Sequence, residues 1–419
     1  MAGWTQLASA LGIERRAGET REEGFFSGYY ALMFAAFPVF ALSTSLGYRL
    51  VPILLVLASF VVLARRRATW NPAMTAWAWA LLILSLPHYF SVLVSASDAS
   101  VMERVSYGWL FLAVGAAALR YSPSAQPVLY ALVVGAATTF GAQLLQGGDR
   151  PSMHFNPIPY AEVAAGLFCL ACVAVTAARR WWQLAVGVLG LLLWIGVIIL
   201  TEARGALLAT LPGVLYLAWF AARYCGRKVS ILALMALVLC LLVAEILSGK
   251  VITHRFQVAA QEYQQYQRNP ERASSTAIRL ELYRAATLVA REHPFGLGEE
   301  NARAKALEWV DQGRVRPYVR SSLEVAHFHS DIFQSLAVAG YPGLVCLLLF
   351  YGFLAVFFLR HRDQLVARMA LVFIASFIVS GLTDVPLHNR LTLFALFTVL
   401  TFCFVHLNPQ RRRAASHDR

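Results

Sequence analysis

Charge is the scarcest ingredient of this 419-residue chain: only 14% of its residues are Asp, Glu, Lys or Arg, against 58% apolar ones. Globular domains carry roughly a quarter charged residues, so the deficit excludes a freely soluble protein. Length alone would admit two or three soluble domains, but a mean hydropathy of +0.58 overrides length. Acidic residues are scarcer still, 23 against 36 Lys and Arg, for a formal net charge of +13. That excess does not point to nucleic acid, because no nucleic-acid-binding motif accompanies it and membrane proteins carry Lys and Arg in their cytoplasmic loops. Cysteine is sparse and badly placed for bridges. Cys169, Cys172, Cys240, Cys346 and Cys403 lie in apolar runs and Cys225 in a basic loop, so no disulfide framework is expected. The Cys169–Cys172 pair has C-x-x-C spacing inside an apolar run, which reads as core packing rather than as a metal or redox site. No cleavable leader is expected either. The opening residues are mixed polar, with Glu14, Arg15, Arg16, Arg21, Glu22 and Glu23, whereas a signal peptide reaches its apolar core almost at once. Finally, no internal repeat is evident, which argues against a transporter built from paired halves.

What is present is a series of long apolar runs. A spanning helix needs about 20 mostly apolar residues, and twelve runs qualify, at 25–45, 47–64, 73–95, 104–119, 125–146, 157–178, 182–200, 205–222, 229–248, 331–359, 366–384 and 390–407. Basic residues follow every even-numbered span, as at Arg65–Arg67, Arg120, Arg179–Arg180, Arg223 to Lys228, Arg360 to Arg368 and Arg411–Arg413. That alternation places both termini in the cytoplasm. The expected fold is therefore all-α: a polytopic membrane protein with about twelve transmembrane helices and one large helical periplasmic loop. Its parts are a cytoplasmic N-terminus (1–24), spans one to nine (25–248), the loop (249–330), spans ten to twelve (331–407) and a cytoplasmic tail (408–419).

The loop carries more Arg and Lys than Asp and Glu, against the positive-inside bias, but long loops translocate regardless of charge. Within it, Ser274-Ser275-Thr276 offers an N-cap for a helix through TAIRLELYRAATLVAREH, ended by Pro294 in PFGLG. At 100° per residue, Ile278, Leu282, Ala285 and Val289 share an apolar face. Arg284 and Arg291 point away from it, near Glu281, whereas Arg279 falls at its edge, near Tyr283. Arg279 is thus directed toward packed protein or, alternatively, snorkels at the headgroup level.

Two further segments carry chemistry. Spans seven and eight are joined by almost nothing, so Glu202 and Arg204 of TEARGALLA sit at the membrane edge. A charge there is a functional hypothesis by default, and the planar guanidinium suits phosphate; a Glu202–Arg204 pair or headgroup contact are the plainer readings. In HFHSDIFQSLAVAGYPGL, from His327 to Leu344, the run 331–359 would be about 43 Å long as one helix, too long for a core of about 30 Å. A break at AGYPG resolves the excess. Ser330 is placed to cap this helix, leaving His329 just before a positive dipole end that disfavours imidazolium. A neutral imidazole there is suited to act as a general base. His327 assists or merely packs. A metal shared by His327, His329, His293 and His154 is the rival reading, but no carboxylate or cysteine of ligand spacing accompanies them in sequence.

Three features thus occur in order: RG opening a membrane helix, R-x-x-x-Y-R…HPFGLG in the loop, and HS-x(9)-G-x-x-G entering a late span. The set resembles the O-antigen ligase and O-antigen polymerase superfamily, over roughly residues 190–360 by motif and elsewhere by topology. The size, twelve spans and single late loop look more like the ligases. The resemblance implies a glycosyltransferase in lipopolysaccharide biosynthesis that moves a glycan from undecaprenyl diphosphate onto an acceptor sugar at the periplasmic face of the bacterial inner membrane. In ligases the acceptor is the lipid A–core. No metal or other cofactor is implied. The family's essential arginines match Arg204 and Arg279, which would hold the donor diphosphate, and its essential histidine matches His329. Ser330 stands where many relatives have Asn.

Secondary candidates for substrate contact are His327, Tyr283, Arg284, Asp384, His388 and Arg390. Basic loop residues Arg303, Lys305, Arg314, Arg316 and Arg320 either meet acceptor phosphates or form a solvated surface. The alternatives are a polymerase that lengthens the lipid-linked glycan and, in a different class, a transporter of lipid-linked sugar. Transporters place ionisable groups near the midplane. Here Glu162 and Glu245 fall near predicted span ends, which favours an enzyme with its site at one face.

Overall fold

The computed structural model describes residues 20–65, 68–95, 100–148, 150–224, 251–268, 272–325 and 327–407. No strand occurs among the described residues. The first helices are α1 (Arg21–Phe40), α2 (Gly47–Ala64), α3 (Pro72–Ser95), α4 (Ser100–Tyr121), α5 (Gln126–Gln146), α6 (Pro157–Val175) and α7 (Trp181–Leu200). The short α8 (Arg204–Leu208) and α9 (Leu211–Tyr224) follow. The predicted loop holds α10 (Val251–Arg268), α11 (Ser275–Glu292), α12 (Glu299–Asp311), a 3-10 turn (Pro317–Val319) and α13 (Arg320–Val325). The chain then forms α14 (Asp331–Leu359), α15 (Leu365–Thr383) and α16 (Arg390–His406).

Among the described residues, eight segments are long and apolar enough to cross a membrane: α2, α3, α5, α6, α7, the α8–α9 pair, α14 and α15. Those residues form an all-helical fold, and the segments mark a multi-pass membrane protein. Three more predicted spans are helices that fall short of that pattern. α1 and α4 carry charge at their ends, through Arg21, Glu22 and Glu23 in one and Glu103, Arg104 and Arg120 in the other. α16 is apolar but has only 17 residues. The predicted span at 229–248, with Glu245, Cys225 and Cys240, lies outside the described residues, as do most of the N-terminal segment and the tail beyond 407.

The middle of the bundle is α6, buried without interruption from Pro159 to Val173. Its small residues permit that burial, since close helix approach in a membrane depends on them: a Cβ at Gly166 would stand 2.6 Å from the Phe373 ring of α15. Cys169 and Cys172 are buried free thiols packed beside Gly213 of α9, the packing role their setting predicts. At the periphery, α7 leaves Val186, Leu189 and Leu192 exposed, as a lipid-facing helix would.

Two breaks matter for the site. The eighth predicted span is not one helix. Pro212 has no N–H to donate, and the Gly213 N–H turns to the Thr210 carbonyl (3.0 Å), so α8 stops at Leu208. The Ala209 carbonyl so released accepts from Ser376 Oγ at 2.7 Å, the kind of side-chain repair that makes a broken helix tolerable in lipid. The second break is the expected one. Within α14, Gly340 takes φ 65°, ψ −158°, a region closed to residues with a Cβ. Pro342 cannot donate to Val338, and the Tyr341 N–H goes to the Pro294 carbonyl (2.9 Å). The freed Ala337 and Val338 carbonyls then accept from the Leu297 (3.4 Å) and Gly298 (2.9 Å) N–H groups. PFGLG and AGYPG are therefore two halves of one backbone joint that fastens the loop to the bundle.

The loop has its own core. Leu282, Ala285 and Val289 of α11 pack with Ala302, Ala306 and Trp309 of α12, Leu323 of α13 and Ala337 of α14. This is the predicted apolar face of α11, and Ser274 caps that helix by accepting from the Ala277 N–H (3.1 Å). Glu281 was expected near solvated arginines but is 1% exposed. It accepts from Tyr266 Oη (2.8 Å) and faces Arg284 at 3.5 Å, so its charge is compensated locally rather than by water.

Candidate active site

The predicted site residues arrive from three separate stretches at the C-terminal end of α15. Gly205 brings the first. Any side chain there would run into Thr383 Oγ1, so the absence of a Cβ lets α8, which Arg204 opens, lie against the end of α15. This is the physical content of the RG pair. Arg204 is half-buried, and Glu202, two residues earlier, has a left-handed backbone at φ 54°.

The second stretch is α11. Tyr283 donates from Oη to the His329 carbonyl (3.0 Å) and lies 3.4 Å from the Leu382 carbonyl, while its ring stacks on Phe333 with centroids 4.2 Å apart. Tyr283 was a candidate substrate contact; its geometry is that of a strut between loop, histidine and α15. Arg279 lies one turn earlier on the same helix, half-buried. No hydrogen bond or ion pair of Arg279 is found among the described residues. Tyr283→Phe keeps the stacked ring and removes one hydrogen bond, worth about 0.5–1.5 kcal/mol. Its expected effect is a drop in turnover of up to about tenfold with thermal stability little changed, read by parallel rate and melting measurements.

The third stretch enters α14. His329 has φ 52°, uncommon for a residue with a side chain and a frequent mark of functional positions. The residues after it tie down the turn that follows α15. Ser330 occupies the cap position, but its hydroxyl donates to the Gly381 carbonyl (2.9 Å) instead of accepting from the helix. This corrects the expected cap; Gln334 reaches back to accept from the Phe328 N–H instead (2.9 Å). The Asp331 N–H donates to the Asp384 carbonyl (3.1 Å), and Asp331 Oδ1 accepts from the Leu387 N–H (3.3 Å). Asp331 is a positioning residue that sequence reasoning missed, although it directly follows the HS pair.

These clips bring Asp384 to the two histidines. Asp384 is 4% exposed, with Oδ1 3.5 Å from His329 Nδ1 and 3.7 Å from His327 Nε2. Burial pushes its carboxyl up, but the facing histidines outweigh burial and leave it lowered from its ordinary value, hence ionised at neutral pH. Burial lowers the His327 imidazole to about 4, so that ring is neutral. The His329 N–H approaches His327 Nδ1 at 3.3 Å, which assigns the neutral His327 proton to Nε2, toward Asp384. With Nδ1–H of His329 also directed at the carboxylate, His329 Nε2 keeps its lone pair. The 3.5 Å separation exceeds a formed N–H···O bond of about 2.7–3.2 Å; such bonds commonly tighten when substrate binds.

The same three groups, His327, His329 and Asp384, could hold a metal ion, their ligand atoms lying within 4.8 Å of one another. Tertiary structure thus supplies the carboxylate that the sequence pattern lacked. A metal would need the Nε2 lone pair of His327, and the His329 N–H directed at Nδ1 disfavours that tautomer. The residues fit an oriented base better than a metal centre. His293 ends α11 as its C-cap and His154 is exposed at φ 67°; neither belongs to this three-residue group.

The remaining candidates divide. The His388 side chain is 7% exposed, with Nε2 3.7 Å from Glu299 Oε2, and desolvation followed by the Arg104 charge pushes its pKa well down. Arg104 pairs with Glu299 and donates to the His388 carbonyl (3.2 Å), tying α12 to the turn after Asp384. Arg390 is half-exposed and pairs with Glu103 at 2.9 Å. Among the loop cations, Lys305 pairs with Glu308, Arg314 with Glu292 and Arg320 with Asp311, so these three face carboxylates rather than standing open. Arg316 donates its backbone N–H toward Glu281 (3.5 Å), and the charge of Arg303 acts on His327.

Residues 189–348, from α7 into α14, match the model of a protein family described as O-Antigen ligase. The match covers well under half of the chain and agrees with the resemblance of the three motifs to the O-antigen ligase superfamily. The match takes in Arg204, Arg279 and His329 together, while Asp384 lies beyond it. A search of curated proteins found no match.

Proposed function

We propose that the chain is an O-antigen ligase: a metal-independent glycosyltransferase that moves O-antigen from undecaprenyl diphosphate onto a sugar hydroxyl of lipid A–core. The observation that carries the reading is the Asp384–His329 arrangement, set at the end of α15, against which both Gly205 of α8 and Tyr283 of α11 lie. The acceptor hydroxyl is a poor nucleophile, and His329 Nε2 takes its proton as the oxygen attacks the anomeric carbon. The bond from that carbon to the diphosphate breaks, and the electron pair leaves with the diphosphate. Arg204 and Arg279 hold the donor diphosphate and offset the charge that grows on it, with greater effect in a water-poor site. Attack from the face opposite the leaving group inverts the anomeric centre.

Both substrates keep their lipid tails in the bilayer, so the site opens sideways to one leaflet. In this reading twelve spans put both termini in the cytoplasm of the cell, and the loop at 249–330 roofs the site on the periplasmic face of the inner membrane. The test is reconstitution with undecaprenyl-diphosphate O-antigen and either lipid A–core or a second donor molecule. Glycan appearing on lipid A–core, undiminished by EDTA and abolished by Arg204→Ala or Arg279→Ala, is the expected result. A lengthened donor would make the chain a polymerase, and lipid movement without product would make it a transporter.

A further inference from the structure

A cavity of about 260 Å³ opens at the turn that leads into α16. Its walls come from the first turn of α2 (Tyr48), the segment before α6 (Phe155, Asn156) and the turn into α16 (His388, Asn389, Arg390). Tyr48 and Phe155 form an aromatic corner, with ring centroids 5.3 Å apart at 80°. Asn156 Oδ1 accepts from the Ile158 N–H (3.0 Å) and Asn389 Oδ1 from the Leu391 N–H (2.9 Å). Each asparagine therefore spends its carbonyl oxygen on a helix N-terminus and keeps its NH₂ group as a donor. Arg390 adds guanidinium donors beyond the one given to Glu103. The His388 side chain is 7% exposed and turns its Nε2 toward Glu299 Oε2 at 3.7 Å, so His388 shapes the wall without offering that nitrogen to the cavity. No acidic residue is among the described residues that line the cavity.

Aromatic faces, fixed donors and no lining carboxylate are the chemistry that recognises a sugar ring, neutral or acidic, through its hydroxyl and carboxylate oxygens. The volume lies just below the usual range for drug-sized ligands, about 300–1,000 Å³, which suits a single ring. His388 stands four positions after Asp384, and the turn is closed by the His388 N–H donating to the Val385 carbonyl (2.9 Å). Even fully extended, that stretch spans no more than about 14 Å, so a ring held here is a near neighbour of the reacting sugar. The loop that walls the cavity is also strained, with left-handed backbone at Arg150, Met153 and His154.

We infer that this cavity is a saccharide subsite, holding a sugar unit of one substrate beside the Asp384–His329 pair. The inference rests on glycan transfer at His329 for its role, but not for its binding chemistry. The test uses the full-length protein and the double variant Asn156→Asp/Asn389→Asp. That variant keeps both capping oxygens and replaces both donors with acceptors; Phe155→Ala removes half of the aromatic corner independently. Binding of free O-antigen oligosaccharide and of free core oligosaccharide is measured by calorimetry, and KM for each lipid-linked substrate by initial rates. The expected result is that one oligosaccharide binds the wild type and loses about tenfold or more in affinity in both variants. The KM of the matching substrate should rise in parallel, with the change carried by KM rather than kcat. A shift for O-antigen assigns the subsite to the donor glycan, and a shift for core assigns it to the acceptor. Binding of neither sugar, or equal binding to wild type and variants, overturns the subsite. Binding with no transfer in any assay instead retains the subsite and removes the ligase reading.

Discussion

His329→Ala is expected to lower turnover by about 10²–10⁴-fold, the range that removal of a general base carries, while the protein still folds and inserts. Asp384→Asn should come close to it. The carboxylate of Asp384 fixes which ring nitrogen of His329 holds the proton and stabilises the imidazolium that forms, and an amide of the same shape does neither. Against burial, the facing histidines hold the Asp384 carboxyl below its ordinary value, so it is ionised at neutral pH, and His327, lowered to about 4, is uncharged there. The measurement is initial rate at neutral pH for wild type and both variants in lipid vesicles. An unchanged rate in Asp384→Asn would reduce Asp384 to a structural clip and sink the oriented-base mechanism.

Gly340→Val is the largest structural change expected from one residue. The backbone there is accessible only to glycine, and its violation costs of order 1–3 kcal/mol. A Cβ would in addition run into the Pro294 carbonyl, at the point where PFGLG docks. Three backbone hydrogen bonds across that joint hold α11, and with it Arg279 and Tyr283, against α14. The variant should lose activity almost wholly, melt at a lower temperature in detergent and expose the loop to limited proteolysis. Gly352→Ala is the matched control on the same helix, since nothing lies within 4 Å of the added carbon. Wild-type melting and activity in Gly340→Val would mean that the joint does not position the site.

Much of this architecture was legible because lipid constrains sequence so strongly. Long apolar runs located most of the helices, and α14 begins and ends as its run predicted. The break at AGYPG followed from length, glycine and proline. The apolar face of α11 followed from periodicity, and Arg279 at its edge is half-buried as that position implied. Less legible were features that depend on which carbonyls find donors elsewhere. Pro212 was visible in the predicted eighth span, but its break is stabilised by Ser376, a residue 167 positions from Ala209. Ser330 carried the right chemistry for a cap yet found a better acceptor in Gly381.

The sequence by itself determined the class of the protein, the places of most helices and the break at AGYPG, and the residue types suited to an anionic leaving group and a proton acceptor. These are local properties, set by hydropathy, by proline's missing N–H and by the fixed charge of arginine. Only the tertiary structure decided what each of those groups faces. It brought Asp384 to His329 across 55 positions, turned Tyr283 from a candidate contact into a strut and set a carboxylate where the H-x-H pattern had none. It also gave the polar turn at 388–390 a cavity to line. Those outcomes rest on the packing of α8, α11 and α14 around the end of α15, and close packing between distant segments is not written in any one of them.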